Sequence, residues 1–439
     1  LVKREVIKVI TPGTVLSEPL LEEKSNQYIV AVHEDEETLA LVAADVSTGE
    51  CGWSSYSGRD RLEAALDQLF RLQPAELVVI GPIAGLEKLR SYAEERLGCC
   101  WTDYLPEDYL EARVWLEKHF TIEMAPAETA VRDAVAFLLD YLHKMLKTDL
   151  SHINTLQALF SERRLQLDAT ALRNLEIVRN MKDGGKKDTL LGVLDFTRTA
   201  MGGRCLKKWL EAPLYDRLAI RARQEAVQVW SDNPSDRQQL LDLLERVYDM
   251  ERILSRLAVG TANARDLASL RSSLSVLPML REKLLQQDQV GLLRRLSLVC
   301  STHTELAVLL ETAIVDNPPF SIREGGMIRE GYNLELDELK HISEDSHAWL
   351  QEFEQQLKQR TGVKSLKVGY NKVFGYYIEV TKANSELVPE DFVRKQTLAN
   401  AERYITQDLK EYENRVLGAR ERRQELEYHL FSQVCERIR

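Results

Sequence analysis

The residue types best suited to binding a charged ligand are concentrated between positions 358 and 395. This segment has eight basic residues against four acidic ones, a net charge of +4, whereas the whole chain of 439 residues carries −11. A basic island on an acidic chain indicates a polyanionic partner, because local charge matters more than total charge for binding nucleic acid. The eight basic residues are Lys358, Arg360, Lys364, Lys367, Lys372, Lys382, Arg394 and Lys395.

The most specific phosphate-binding pattern is the stretch FVRKQTLANAERY, from 392 to 404. Arg394 and Lys395 precede Thr397, which the pattern predicts as a helix N-cap, and Asn400 follows three residues later. Amides at a helix N-terminus, an amide side chain and two cations can together bind phosphate. The same pattern is typical of a capped helix with solvated charges, so both interpretations stay open.

Other patterns that would indicate catalysis are weak. The Gly185-Lys186 pair lacks the preceding glycine of a phosphate-binding P-loop, so MKDGGKKDTLLG is predicted to be a surface loop. The six cysteines form no C-x-x-C pair and the eight histidines show no metal-ligand spacing. We therefore expect scattered, buried thiols in a reducing compartment, and no catalysis or cofactor in this chain.

One carboxylate, that of Asp45, could belong to a metal-dependent nuclease site. Asp45 lies in LVAADVSTG, a predicted strand, at the position where RNase H-like nucleases place a metal-binding aspartate. Two-metal chemistry needs several converging carboxylates, and no other acidic residue is evidently directed at the same point. A structural or turn-capping role is favoured, and an RNase H-like nuclease with a helical appendage is the alternative hypothesis.

The basic island is positioned by a short aromatic hairpin, LKVGYNKVFGYYIEV, at 366–380. Alternation of Leu366, Val368 and Tyr370 with polar residues predicts one strand, and Asn371-Lys372 predicts the turn. A second strand follows, in which Gly375 leaves room for close approach of another backbone. A hairpin that simply packs on a helix is the plainer interpretation.

Two heptad-like patterns flank this hairpin. Apolar positions from Leu339 to Leu357 and from Ile405 to Leu430 recur in steps of three and four, with Arg423 as the exception. If these stripes face each other, the two helices are antiparallel, and thirty residues of helix extend about 45 Å. The patterns thus predict a two-helix arm with the basic hairpin at its far end.

The rest of the chain predicts a multidomain protein. Alternating segments at 28–57, a helix and the strand ELVVIGP indicate a small α/β domain at 17–127. Helical patterns follow from 128, broken at Pro213, Pro234 and Pro278. No apolar run is long enough to span a membrane. Because residue 1 is not Met and the chain stops inside a helical pattern, we expect an excerpt of a longer protein.

Several long motifs resemble the MutS family of DNA mismatch repair proteins. VGYNKVFGYYIEVTK followed by RKQTLANAERYITQDLKEYENRVL is similar to the family's clamp and returning lever helix. VIKVITPGTVLSE, LDATALRNLEI, TLLGVLDFTRTAMGGRCLKKWLEAPL, YDMERILSRLAVGTANARDL and DNPPFSIREGGMIREGYNLELDEL resemble successive earlier parts of the family. These motifs occur in the family's order along the chain.

This resemblance implies a fold class of α/β plus mainly α. Residues 1–16 would be the junction from the mismatch-binding domain, and 17–127 an RNase H-like connector without nuclease activity. Residues 128–338 would form the helical core and outgoing lever, 339–397 a β-containing clamp at the arm tip, and 398–439 the returning lever helix. The family's mismatch-reading and ATPase domains would lie outside this chain, so ATP and magnesium would belong to the full-length protein.

The resemblance also implies site residues and partners. The residues of the family's clamp that contact the DNA backbone correspond to Asn371, Lys372, Lys395 and Asn400. Ala399 stands where some relatives have lysine, so DNA binding here would depend more on Lys372 and Arg394. The implied partners are duplex DNA, MutL and a second MutS subunit, in a bacterial cytoplasmic, nucleoid-associated protein with no membrane partner. A relative acting on other DNA structures and a purely structural coiled-coil adaptor are further alternatives.

Overall fold

The computed structural model describes residues 6–121, 126–159, 164–165, 167–344, 346–371 and 375–439. The chain divides into two compact units, which are described separately. The first unit comprises Leu1–Ala262, Ser269–Ala307 and Arg439, and the second comprises Asn263–Ala268 and Val308–Ile438. Among the described residues, no helix has both the length and the apolar character needed to cross a bilayer.

The first unit is built on a mixed β-sheet. Its strands are β1 (Ile29–Glu34), β2 (Thr38–Asp45), β3 (Glu50–Ser57), β4 (Glu76–Ile80), β5 (Cys100–Tyr104) and β6 (Gln157–Ala158), in the order β5-β4-β1-β2-β3-β6. The β1–β2 and β2–β3 pairs are antiparallel, whereas β4 is parallel to both β1 and β5. The α/β character predicted from the alternating segments is confirmed.

Helices cover both faces of this sheet. On one face lie α1 (Arg61–Leu72) and α2 (Leu86–Tyr92), which continues as a π-helical turn at Ala93–Leu97. On the other face lie α3 (Tyr109–His119) and α4 (Thr129–Leu146), whose predicted apolar stripe from Val131 to Leu146 is buried. The predicted helical core starts at residue 128, whereas in the structure the helix that begins there, α4, packs on the sheet. Helical periodicity shows that a face is covered without showing what covers it.

Short and medium-length helices make up the remainder of the first unit and the segment that joins it to the second. Their bounds are α5 (Ala169–Asn174), α6 (Leu190–Leu194), α7 (Ala200–Glu211), α8 (Arg217–Asp232), α9 (Pro234–Leu244), α10 (Met250–Val259), α11 (Ala264–Leu285), α12 (Gly291–Val299) and α13 (Thr304–Ala313). Pro234 starts α9 as predicted. The predicted break at Pro278 is wrong, because α11 continues through this proline.

The second unit contains long helices and a four-stranded antiparallel sheet. The helices are α14 (Leu334–Glu344), α15 (Ser346–Thr361) and α16 (Gln407–Ile438). The strands are β7 (Lys367–Asn371), β8 (Gly375–Thr381), β9 (Val393–Thr397) and β10 (Ala401–Ile405), in the order β7-β8-β10-β9. The predicted hairpin is therefore present, as one half of a larger sheet.

The apolar stripes of these helices are buried against each other. Leu409, Tyr412 and Val416 of α16 are buried, and the Tyr412 ring stacks on Trp349 of α15 at 3.6 Å between centroids. Farther along α16, Arg422 forms an ion pair with Glu335 of α14. Residues later in α16 thus meet residues earlier in the preceding helices, which is the order expected of antiparallel packing.

The prediction of a helix starting at 398 is wrong. Residues 401–405 form β10, which pairs with both β8 and β9, and α16 begins only at Gln407. Ile405 fits the heptad-like spacing, but it is buried at the end of a strand. Pairing with two neighbouring strands outweighs the weak local helix preference of this stretch.

Candidate nucleic-acid interface

The basic segment is held in place by a small apolar core beneath one face of the four-stranded sheet. Ile378, Val380 and Tyr404 point into this core, where they meet Phe353 and Leu357 of α15. Because cross-strand partners share a face and side chains alternate along a strand, the neighbouring residues lie on the outer face. The core fixes which basic side chains reach that outer face.

Arg403 occupies the middle of the outer face, and its charge is used within the sheet. Its Nε donates a hydrogen bond to Glu379 at 3.0 Å, and its Nη1 donates to Gln396 at 3.1 Å. The guanidinium also lies 4.1 Å from the centre of the Tyr377 ring. This role was not predicted, because residue 403 was expected in a helix and not in a strand with neighbours on both sides.

The hairpin end of the sheet lies beside α16. Asn371 pairs with Gly375 across the hairpin, and the predicted turn residue Lys372 lies outside the described residues. Gly375 has φ of 76°, and a Cβ there would collide with the Glu413 carboxylate of α16. The Tyr376 amide donates to Glu413 at 3.4 Å. The close approach predicted at Gly375 therefore involves a side chain rather than another backbone.

The opposite end of the sheet brings together Asn400 and Lys382. The Lys382 amide donates to the Asn400 carbonyl at 3.2 Å, and Asn384 beside them donates to Ser365 and Thr381 at 3.1 and 3.2 Å. The seven residues of β8 separate this end from the hairpin by about 20 Å. Asn371 and Asn400 thus lie at opposite ends of the sheet and form no common pocket.

Arg394 and Lys395 differ in their surroundings, although they are neighbours on β9. Arg394 donates to the Glu402 carboxylate at 3.2 Å. Lys395 is the extra residue of a β-bulge, since Arg394 pairs with Tyr404 and Gln396 pairs with Arg403. A bulge redirects the side chain of its extra residue, and Lys395 is exposed.

The predicted helix N-cap at Thr397 is wrong. Thr397 ends β9, Asn400 lies in the turn to β10, and the amide of Leu409 is capped by Thr406 Oγ1 at 3.3 Å. Thr397 therefore caps no helix, and α16 begins only at Gln407. What remains of the predicted phosphate-binding surface is side chains and the exposed turn at Asn400.

Tyr404 and Glu402 form a coupled pair at the rim of the core. Burial raises the pKa of Tyr404 to about 12, and the hydrogen bond that its hydroxyl donates to Glu402 acts in the same direction. That hydrogen bond, followed by the charge of Arg394, holds the pKa of Glu402 below its ordinary value. Glu402 is therefore ionised at neutral pH and neutralises Arg394.

Ion pairing divides the basic residues of this segment into two groups. Lys358 pairs with Glu354 at 2.5 Å and Arg360 pairs with Asp391 at 2.8 Å, besides the pair formed by Arg394. A second group is exposed and forms no salt bridge with any described residue: Lys364, Lys367, Lys382 and Lys395. The predicted basic island is thus reduced to these lysines, with Lys372 outside the described part.

The other candidate sites have structural explanations. The buried Asp45 carboxylate accepts hydrogen bonds from Asn26 Nδ2 and the Gln27 amide, and from both the amide and hydroxyl of Ser47, at 2.7 to 3.1 Å. These bonds support the turn-capping interpretation of Asp45. The Gly185-Lys186 pair lies in an exposed turn closed by a hydrogen bond from the Asn180 amide.

Comparison with protein-family models matches two parts of the chain. The model described as MutS domain II matches residues 27–154, and the one described as MutS domain III matches residues 170–439. The first range ends after α4, in agreement with the packing of α4 on the sheet. Together the two ranges include every strand of the first sheet except β6, the whole second sheet and the long helices.

Curated relatives resemble the chain along its whole length. The DNA mismatch repair protein MutS of Pelotomaculum thermopropionicum is 42% identical over 452 residues, and that of Exiguobacterium sp. is 43% identical over 441 residues. The MutS protein of Methanosarcina acetivorans is 40% identical over 459 residues. Each alignment covers 100% of this chain but only 50 to 51% of the relative, so the chain spans about half the length of these relatives.

Proposed function

This chain belongs to the MutS family of DNA mismatch repair proteins, and from that premise we propose that its four-stranded sheet binds the phosphate backbone of duplex DNA. The observation that carries the proposal is the group of exposed lysines without salt bridges to described residues, on a chain that is acidic overall. Lysine is a compact, flexible point charge suited to phosphate, and such contacts carry no sequence information. The proposed binding is therefore nonspecific.

The bonding pattern ranks the candidate contacts. Lys382 and Asn400 share one end of the sheet, and the bulge directs Lys395 outward. Arg394 ranks lower, because releasing it for phosphate costs its ion pair with Glu402. Asn371 and Lys372, at the hairpin end, stay a separate prediction for a second contact.

We assign roles to the other parts by the same premise. The packed helices α14, α15 and α16 would act as levers that transmit nucleotide-driven movement to the sheet, which would act as a clamp. The strand order of the first unit supports an RNase H-like connector, and contact with MutL is proposed there. ATP hydrolysis with magnesium and pairing with a second MutS subunit are proposed for the whole protein.

Fluorescence anisotropy of a labelled duplex across a salt series tests the DNA-binding proposal. Three or four phosphate contacts predict a slope of about −3 to −4 in log affinity against log salt. Replacing Lys382 and Lys395 together by alanine should flatten that slope by about 2 and weaken matched and mismatched duplexes equally. A separate Lys372→Ala variant tests the hairpin end, where a flattening by about 1 is expected.

The matched control replaces two paired cations, Arg360 and Arg422, by alanine. It changes the net charge by the same amount but removes side chains already bound to Asp391 and Glu335. Its slope should stay close to that of the wild type. If the control and the Lys382/Lys395 variant behave alike, the sheet does not contact phosphates, and a loss confined to mismatched DNA would refute nonspecific binding.

A further inference from the structure

A second group of basic residues surrounds a cavity in the first unit, far along the chain from the four-stranded sheet. The cavity measures about 470 Å³ and lies where the end of α1 meets α5, the loop at 178–184 and α7. Its basic lining residues are Arg71, Arg96, Arg173, Arg179 and Lys207, and Glu211 is its acidic one. Five cations and one carboxylate leave a formal charge of +4 on a chain that carries −11.

Three of these cations take part in no salt bridge among the described residues. Arg96, Arg173 and Lys207 form no salt bridge with a described residue. Arg179 donates a hydrogen bond to the neutral Gln73 side chain at 3.1 Å. Concentrating unpaired cations around a concavity is unfavourable unless an anion binds there, because like charges repel within the Debye length.

The cavity also has an apolar wall. Phe70, Leu172, Val178 and Met181 line it between the basic side chains. Small-molecule sites commonly combine an apolar lining with a few polar groups, and have volumes of about 300 to 1,000 Å³. A bare inorganic anion would leave the apolar wall uncovered, whereas an anion with an organic part would cover it.

We propose that this cavity binds a phosphate-bearing organic anion of about mononucleotide size. The phosphate would lie among Arg173, Arg179 and Lys207, and the organic part would lie against Phe70 and Leu172. Such a site is separate from the proposed DNA-binding sheet, so either proposal can fail without the other.

Glu211 makes the proposed binding sensitive to pH. Burial raises the pKa of the Glu211 carboxyl to about 7, against the opposing charges of Lys207, Arg179, Lys208 and Arg71. Below that pH the carboxyl is neutral and does not repel the ligand phosphate. Affinity should therefore increase as the pH falls from 8 to 6.

Calorimetric titration of the chain with four probes tests the ligand class. ADP and ribose 5-phosphate should bind with dissociation constants below about 1 mM, pyrophosphate should bind more weakly than ADP, and adenosine should not bind measurably. Absence of heat with ADP at several times that concentration would overturn the proposal. Equal affinity for pyrophosphate and ADP would refute the proposal that the ligand has an organic part that contacts the apolar wall.

Single variants locate the site. Lys207→Gln and Arg173→Gln should each weaken ADP binding about tenfold, as expected for losing one charge-assisted phosphate contact. Arg132→Gln is the matched control, since Arg132 is an exposed arginine on α4, which covers the opposite sheet face from α1. Arg173 is exposed, so its variant should fold even if Lys207→Gln does not. Unchanged affinity in Arg173→Gln, or an equal loss in Arg132→Gln, would refute this location.

Glu211→Gln provides an internal check, because the phosphate of the ligand also titrates near neutral pH. The difference between wild type and variant isolates the carboxyl: the variant should bind ADP more tightly at pH 8 and like the wild type at pH 6. Identical pH profiles would show that Glu211 does not face the bound phosphate.

Discussion

Replacing Glu427 by alanine should destabilise the second unit more than any exposed substitution on the same helix. Glu427 lies on α16, is 0% exposed and accepts hydrogen bonds from three consecutive backbone amides. Its Oε2 accepts from the Gly326 amide at 2.9 Å, and its Oε1 accepts from those of Met327 and Ile328 at 2.7 and 3.0 Å. Consecutive amides of this kind form a concave anion site that ties the loop to the helix.

The magnitude follows from what the substitution leaves behind. Each buried amide without an acceptor costs about 1 to 3 kcal/mol, and three of them would be orphaned. Water entering the space left by the side chain offsets part of that cost, so we expect a loss of about 3 to 5 kcal/mol. Glu427→Gln keeps one oxygen for Met327 and Ile328 but turns an NH2 group toward the Gly326 amide, and should cost about 1 to 3 kcal/mol.

Two measurements check this expectation. Urea unfolding followed by circular dichroism gives the midpoint of each transition, which matters because two units need not unfold together. Hydrogen exchange of the amides at 326–328 reports the contact itself, and these amides should lose protection in the alanine variant. Glu425→Ala is the matched control, because Glu425 lies on the same helix and is exposed.

The order of effects should be alanine, then glutamine, then the control. If Glu427→Ala and Glu425→Ala shift the midpoint equally, or if exchange at 326–328 does not change, the buried carboxylate does not hold this loop. A glutamine variant as unstable as the alanine variant would show that charge, rather than the count of accepted hydrogen bonds, determines the effect.

Three further predictions concern burial and charge elsewhere. Leu409→Ala should lower the unfolding free energy by about 3 kcal/mol, because Leu409 is buried. Leu417→Ala, at a partly exposed position on the same helix, should lower it by less than about 1 kcal/mol. Equal urea midpoints for the two variants would contradict the burial of this apolar stripe. Burial tends to raise the pKa of Asp195, but hydrogen bonds from Lys186, Thr197 and Lys24 outweigh it and hold that pKa well below its usual range. Asp195→Asn should therefore destabilise the protein at pH 7, and progressively less as the pH falls below about 4. A difference in urea stability that does not change with pH would refute this. Burial raises the pKa of the Cys51 thiol to about 12, whereas Cys100 is exposed. A thiol reagent should therefore label Cys100 in the native protein and Cys51 only after unfolding. Prompt labelling of Cys51 in the native protein would contradict its burial.

Much of the fold could be predicted from local periodicity in the sequence. Alternation between 28 and 57 predicted the strands that became β1, β2 and β3, and helical spacing predicted the buried positions of α4 and α16. These patterns succeed because the side-chain periods of strand and helix are set by neighbouring residues along the chain. They failed at 401–405, where the deciding interactions are hydrogen bonds to two other strands.

The candidate site was predictable in composition but not in arrangement. The excess of basic residues between 358 and 395 is visible in the sequence, whereas the ion pairs that neutralise Arg360 and Arg394 depend on acids 31 and 8 residues away. The separation of Asn371 from Asn400 likewise follows from strand order, which no local pattern encodes. The bulge at Lys395 is of the same kind, because it exists only relative to β10.

The sequence by itself determined the family, the α/β and helical character, the antiparallel hairpin and the apolar stripes of the long helices. Only the tertiary structure decided that α4 covers the sheet, that residues 401–405 join the second sheet, and which lysines form no salt bridge with a described residue. It also decided that Glu427 binds amides about 100 residues earlier in the chain. Patterns of residue type depend on local backbone geometry, whereas these contacts depend on where distant segments meet.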